Sequence, residues 1–311
     1  MHFIFMSSKF LIIGDLHGNK PKIHFKDFDY IIAPGDFCSD KGLRPLMNKW
    51  LNNRNNTEDF DKFIERTIGN KKYRELKRES LKVGRKILSF LNSFSKPVFI
   101  VPGNWDESYG KSKIKNMEAS RYNYIMSFLH FYLGEKTNPF LTKGLKNIYD
   151  CQYKLNVFDN FNVVGYGLSS NNEEDLGKSL KKLGLTKRQS VKLNKAYNKI
   201  FKKLELVYSK RNKKKPSIFI THNVPFNTKL DILVNKESEH HGEHFGSKIA
   251  RDFCKKFQPL ICIGGHMHEH FGKDKIGKTI VINAGFGSYV NTLLEIEGNK
   301  IKKLKFYRGK S

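Results

Sequence analysis

Seven side chains in this sequence are of types that bind metal ions, and their spacing makes them arms of a common site. Asp15 and His17 stand two apart in Gly14-Asp15-Leu16-His17-Gly18. On an extended chain that interval turns a carboxylate and an imidazole to the same side, a pairing that divalent transition metals accept. Asp36 follows Gly35, Asn104 lies within Pro102-Gly103-Asn104-Trp105-Asp106, and His222 closes the run that begins at Ser217. His266 and His268 repeat the two-residue interval in Gly264-Gly265-His266-Met267-His268. Each piece alone is common. As an ordered set, each after an apolar run, they would otherwise be buried Asp and His groups without partners, which is costly. Seven nitrogen and oxygen donors without sulfur exceed what one ion takes. Divided between two ions, they leave positions for water and substrate. This donor set suits Mn²⁺ first, with Fe or Zn²⁺ as alternatives, and not Ca²⁺. Two such ions about 3.5–4 Å apart suit attack on a phosphorus centre, because they acidify a bound water and neutralise charge on the attacked group.

The elements that must position these residues are short β-branched and aromatic runs. They fall at Phe10–Ile13, Tyr30–Ala33, Val98–Val101, Tyr153–Phe158, Asn162–Gly165, Ser217–Thr221, Leu260–Ile263, Thr279–Asn283, Thr292–Ile296 and Lys302–Phe306. Those ending near 13, 33, 101, 221 and 263 are almost continuously apolar, as strands covered on both faces are. All five lead into the metal-binding residues, which places the site at strand carboxyl ends, where open α/β sheets bind ligands. The last three runs, separated by glycine-containing turns, are expected to form an antiparallel meander.

Helical patterns lie between the strands: Glu58–Ile68 with Gly69 as its C-cap, Tyr73–Phe94, Glu118–Leu133, a helix opened by Thr186-x-x-Gln189, and Ser247–Phe257. Strands alternating with helices predict an α/β fold with a mixed-sheet core. No linker or repeat divides the chain, so residues 1–311 are expected to form a single domain, with helical insertions at about 41–96, 107–147 and 172–215.

With 311 residues and abundant phenylalanine, the chain can bury a sizeable core. No stretch approaches the roughly 18 apolar residues of a membrane span, and no membrane contact is expected. The start offers neither a basic n-region nor a small-residue cleavage site. Cys38, Cys151, Cys254 and Cys262 form no C-x-x-C pair and are expected to be reduced thiols of a cytoplasmic protein. The unusual bulk property is charge: 57 basic against 30 acidic residues, a net +27. Such a field attracts polyanions. About half of it comes from residues 178–215, where fifteen basic residues accompany one acid, Glu205. Either this is a solvated helix of a Lys-rich chain, or it is a surface for nucleic-acid phosphates that needs no base readout. Oligomeric state is not readable from these features.

At the seven residues the chain resembles the calcineurin-like metallophosphoesterases. Their pattern D-x-H, G-D, G-N-H-[D/E], H, G-H-x-H is met at 15–17, 35–36, 103–106, 222 and 265–268. Residues 221–231, 242–247 and 265–268 further resemble the archaeal Icc-related predicted phosphoesterases. The resemblance implies a four-layer sandwich, two packed mixed sheets with helices outside. It implies one metal on Asp15, His17, Asp36 and His268, a second on Asp36, Asn104, His222 and His266, and a bridging hydroxide attacking phosphorus in line. The substrate would be a phosphoester. Asp36, Asn104 and His222 would be catalytic, and Asn104 would also touch substrate.

One position departs from the family. Where it often has a histidine assigned to phosphate binding and leaving-group protonation, this chain has Trp105, which cannot exchange a proton. Acid catalysis is typically worth roughly 10²–10⁴-fold, so its loss should favour phosphodiesters with good leaving groups over monoesters. Trp105 would either stack on the substrate or pack in the core. The missing acid could come from His240, His241 or His244, of which His244 is the best placed. Asn223 and Asp231 are expected to orient ligands or substrate. Two other readings remain: a metallophosphoesterase-fold scaffold with weak or lost chemistry, and a nuclease using the basic surface.

Overall fold

The computed structural model describes residues 7–51, 60–106, 141–167, 187–236 and 241–309. They form two six-stranded mixed sheets. The first has the order β12 (Lys300–Arg308), β11 (Val290–Glu297), β1 (Ser8–Ile13), β2 (Tyr30–Ala33), β3 (Val98–Ile100), β4 (Ile148–Asp150). The second runs β5 (Leu155–Val157), β6 (Asn162–Tyr166), β7 (Ser217–Asn223), β8 (Ile261–Gly265), β10 (Thr279–Asn283), β9 (Gly272–Ile276). Strands β1 to β4 are parallel, as are β6, β7, β8 and β10. Antiparallel strands flank each parallel set.

The layering follows from alternation along each strand. Phe10, Ile12, Ile32 and Phe99 of the first sheet face Val163, Ile218, Ile220, Ile261 and Ile263 of the second in one buried cluster. The alternate residues of the first sheet, Leu11, Ile13, Ile31, Val98 and Ile100, pack against α2 (Phe60–Asn92) through Phe63, Ile64, Leu81, Leu88 and Leu91. The short α1 (Arg44–Leu51) joins that layer through Met47 and Trp50. On the other side, Val164, Phe219, Cys262 and Val281 pack against α3 (Lys187–Ser209) through Leu204 and Tyr208, and against α4 (Lys248–Phe257) through Ile249 and Phe253. The result is the four-layer α/β sandwich expected from the resemblance. None of the helices among the described residues is long and apolar enough to cross a membrane. All four cysteines are buried.

Local signals held where they were strongest. Gly69 breaks α2 with a left-handed backbone (φ 76°, ψ 151°), and Ser247 caps α4 by accepting the Ala250 N–H at 3.0 Å. The expected meander is corrected. β10 pairs with β8 and β9 in the second sheet, whereas β11 and β12 belong to the first. The chain changes sheets through the 284–289 segment, which is hydrogen-bonded to the loop bearing Asp15 and His17. Two strands had no readable signal: β4 is three residues long, and β9, Gly-Lys-Asp-Lys-Ile, reads as a polar turn. The helix expected at 118–133, most of the 107–147 insertion, Thr186 and the start of the 172–215 insertion lie outside the described residues.

Candidate metal centre

Each of the seven residues sits just beyond, or at the end of, a central parallel strand. β1, β2 and β3 of the first sheet lead to Asp15 and His17, Asp36, and Asn104; β7 and β8 of the second carry His222 and lead to His266 and His268. The loops meet so closely that side chains are excluded between them. A Cβ on Gly103 would lie 2.1 Å from Asp36 Oδ1, and one on Gly265 would lie 2.4 Å from Asp15 Oδ1. His17, Asp36 and His266 all adopt left-handed backbone (φ 44°, 54° and 68°). Each such residue costs of order 1–3 kcal/mol, a cost that tends to be retained where geometry serves function.

The side chains converge into two groups that share Asp36. In the first, donor atoms of Asp15, His17, Asp36 and His268 all lie within 4.8 Å of one another; in the second, so do those of Asp36, His222 and His266. Asn104 joins the second, its Oδ1 being 2.9 Å from His222 Nε2 and 3.1 Å from His266 Nδ1. Asp15, His17, Asp36 and His222 are almost wholly buried.

The protonation pattern tests whether these groups fit a cation. His222 Nδ1 lies 2.9 Å from the Pro34 carbonyl, which can only accept. The ring therefore donates from Nδ1 and turns Nε2 to the centre. That nitrogen faces Asn104 and, at 3.3 Å, His266 Nδ1. Burial first, then His222, holds the His266 imidazole down to about 3, so it is neutral. Asn104 can meet the two imidazoles with either end of its amide: turned over, it donates to His222 Nε2 and His266 Nδ1 and accepts from the indole N–H of Trp105. In either orientation the amide and the two imidazole nitrogens converge on one point, where a cation would find its donors.

The first group is richer in negative charge. His17 Nε2 is 3.2 Å from His268 Nε2 and 3.3 Å from Asp36 Oδ2, and His268 Nε2 is 3.5 Å from Asp15 Oδ2. Asp15 Oδ1 is buried with no hydrogen-bond partner. Burial works against ionising Asp15, but His268 and the surrounding imidazoles hold it below its ordinary value. Burial also works against charging His17, but Asp40 and Asp36 hold it above its ordinary value. Surroundings that retain a proton there would equally retain a metal cation. Asp36 itself is pushed up to about 6, by burial first, with Asp15 and Asp106 adding to the rise against the opposing pull of His222 and His17.

Three supporting carboxylates were not assigned a role from sequence, or were assigned a different one. Asp106, buried, accepts backbone N–H groups from Asp36 (2.8 Å), Phe37 (3.0 Å), Cys38 (3.0 Å) and Gly103 (2.9 Å), strapping the β2 loop to the β3 loop. Asp40 lies 3.2 Å from His17 Nδ1 and is gripped by Arg44. Against burial, His17 and Arg44 hold its carboxyl down to about 2. Its separation of four from Asp36 was the available signal. Asp231, expected to orient ligands or substrate, organises the loop after β7. It accepts the N–H groups of Asn227, Thr228 and Gly246, and lies 2.8 Å from His244 Nδ1.

Of the other sequence candidates, Trp105 is buried in the α2-facing cluster, and the Arg44 guanidinium lies over its ring at 5.4 Å. Its ring thus takes the packing alternative, while its backbone N–H donates to Asp36 Oδ1 at 2.9 Å. Asn223 donates to the Phe245 carbonyl at 2.7 Å, tying the residue beside His222 to the residue beside His244; its Oδ1 is buried without a partner. His241 is exposed, and His240 lies outside the described residues.

Known proteins share this arrangement at the level of family and fold. The calcineurin-like phosphoesterase family profile matches residues 8–270. A 70-residue stretch is 39% identical to an uncharacterized protein of Methanocaldococcus jannaschii, covering 22% of this chain and 31% of the relative. The chain thus spans about a third of the length of the curated relative it matches. A solved crystal structure at 14% identity superposes with a TM-score of 0.56 over 97% of this chain and 99% of its own, a likeness of fold alone. A protein of Thermus thermophilus, also 14% identical, covers 97% and 99% with a TM-score of 0.46.

Proposed function

Because this chain belongs to the calcineurin-like phosphoesterase family, we propose that it is a metal-dependent phosphoric ester hydrolase that prefers phosphodiesters to monoesters. Asp15, His17, Asp36 and His268 would hold one divalent cation, and Asp36, Asn104, His222 and His266 a second. Two cations would supply an activated water and neutralise charge on the phosphoryl group. The sulfur-free donor set suits Mn²⁺, then Fe or Zn²⁺. The observation that carries this reading is the convergence of ligating atoms into two groups that share Asp36, the atoms of each group lying within 4.8 Å of one another.

The chain's own residues define what else is needed. The Pro34 carbonyl fixes the ring orientation of His222, and the Asp40 carboxylate stands 3.2 Å from His17 Nδ1. Asp106 holds the Asp36 loop. Trp105 cannot exchange a proton, so a leaving group that needs one must receive it from another residue. We assign leaving-group protonation to His244, whose Nδ1 is anchored on Asp231, leaving Nε2 to carry the exchangeable proton. Asn223, whose Oδ1 is buried without a hydrogen-bond partner, would contact the substrate.

The test is to count bound metal in the purified protein and to follow Mn²⁺-dependent hydrolysis of a bis-aryl phosphodiester and an aryl monoester, with Asp36→Asn as control. About two ions per chain, diester preferred, and loss of turnover in Asp36→Asn are expected. A clear monoester preference would remove the diester assignment. Metal-loaded, folded protein inert toward every phosphoester would favour a scaffold.

One feature favours a nucleic-acid substrate within this reading. Lys195, Lys199 and Lys202 are exposed on α3, spaced four and three apart, and form no ion pair among the described residues. Phosphate-backbone contact through them would make affinity fall steeply with salt; a flat salt response would eliminate it.

A further inference from the structure

Twenty-five phenylalanines occur in the chain, and among the described residues only Phe286 is exposed, with 44% of its surface accessible. A scattered apolar residue on a surface needs no explanation. Its surroundings make Phe286 different. Its ring stacks on the His268 imidazole, with centroids 4.1 Å apart and planes inclined by 21°. It also meets the edge of His17 at 5.4 Å and 61°. Both imidazoles belong to the first donor group. The ring therefore stands at the rim of the centre, with an imidazole on one side and open surface remaining.

The backbone presents it rigidly. Asp15 N–H donates to the Gly285 carbonyl at 3.0 Å, and Gly287 N–H donates to the Asp15 carbonyl at 2.8 Å. Phe286 thus pairs with Asp15 as a one-residue parallel bridge. The segment that carries the chain from the second sheet back to the first is in this way fastened to the loop bearing Asp15 and His17. An exposed aromatic held beside a polar centre is prepared to stack on a planar ring. Stacking tolerates any base or aryl group, because every such ring has a π-face.

We propose that Phe286 is the floor of an aromatic subsite, which takes the nucleobase or aryl group of a phosphoester whose phosphoryl group lies at the metal centre. The proposal rests on the phosphoesterase reading and narrows it: substrates carrying a planar ring are selected over alkyl esters. Phe286 is then a specificity residue, and Trp105, buried beneath Arg44, is not.

The test uses the full-length, Mn²⁺-loaded protein and two non-hydrolysable probes, phenylphosphonate and methylphosphonate, measured by titration calorimetry. The native protein should bind the phenyl probe roughly tenfold more tightly, as base–aromatic stacking does. Phe286→Leu should reduce that ratio to about twofold or less with methylphosphonate affinity unchanged, and Phe286→Trp should keep it. Equal affinity of the native protein for both probes, or binding of neither, would overturn the subsite. An equal loss for both probes in Phe286→Leu would also overturn it, because the ring would then only prop His268. A phenyl preference without turnover on any phosphoester would sink the catalytic reading and leave the subsite standing; turnover without a phenyl preference would do the reverse.

Discussion

The two sheets bring different chemistry to their meeting point. The first supplies Asp15, Asp36 and the Asn104 amide, with His17 as its one imidazole; the second supplies His222, His266 and His268 and no carboxylate. Each half also has one buried aspartate used as a strap. In the first half Asp106 spends its carboxylate on four backbone N–H groups, including that of Asp36. In the second Asp231 secures a loop with no candidate ligand, and its one side-chain imidazole contact is His244. In the proposed centre, negative charge concentrated on one side would hold the cations, while the imidazoles of the other side would complete their coordination and leave a second loop free to serve the substrate.

The residue common to both donor groups offers the largest test. Asp36→Asn should lower turnover by about 10³-fold or more, since several kcal/mol of charge stabilisation are lost. In the metal-free protein its effect should reverse. Burial raises the folded carboxyl to about 6 from an ordinary value near 3.8. Its ionisation therefore costs nothing below about pH 4 and costs fully above about pH 6, by as much as about 3 kcal/mol. Metal-free Asp36→Asn should melt above the native protein at pH 7 and converge with it near pH 4. If it melts below the native protein in chelator at pH 7, the charge is not the source of the strain.

The two straps give the next test. Both Asp106→Asn and Asp231→Asn should cost about 2–4 kcal/mol, because each leaves buried N–H groups without an acceptor. Their functional effects should separate. Asp106→Asn should weaken metal binding about 10–100-fold, since the Asp36 loop shifts. Asp231→Asn should leave metal affinity unchanged and slow turnover by up to about 10²-fold, with the loss confined to poor leaving groups. Equal effects on metal affinity would erase the distinction between a metal-holding half and a substrate-serving half.

The ligand side of this division was legible in the sequence, because it is written in short intervals. Asp15-x-His17 and His266-x-His268 each lie on one loop, and apolar runs mark the strands before them. The partners of the straps were hidden because they lie far off along the chain. Asp106 binds residues nearly 70 positions earlier, and Asp231 reaches His244 through a loop whose path no periodicity specifies. Phe286 gave no signal for the same reason: its partners His17 and Asp15 come from the other end of the chain. The assignment of β10 and β11 to different sheets escaped too, since glycine-containing turns look alike whether the chain reverses beside its neighbour or crosses to another sheet.

The smallest expected effect comes from Asp40, which touches only one donor of one group. Its carboxylate lies 3.2 Å from His17 Nδ1 and is otherwise occupied by Arg44. Asp40→Asn keeps an oxygen facing the ring and removes the charge that favours a basic Nε2. Affinity at the first position should fall about 10–100-fold, as for other partners of ligating histidines. The second position should hardly change, because His222 is oriented independently by the Pro34 carbonyl. A titration of the metal-free variant should therefore separate into a tight and a weak step. In the same variant, NMR should show the His17 imidazole losing its proton at lower pH than in the native protein, since Asp40, ahead of Asp36 and Asp15, raises it against burial. Two steps weakened alike would mean that the shared Asp36 transmits every disturbance across the centre, and that the two sheets cannot be treated as separate half-sites.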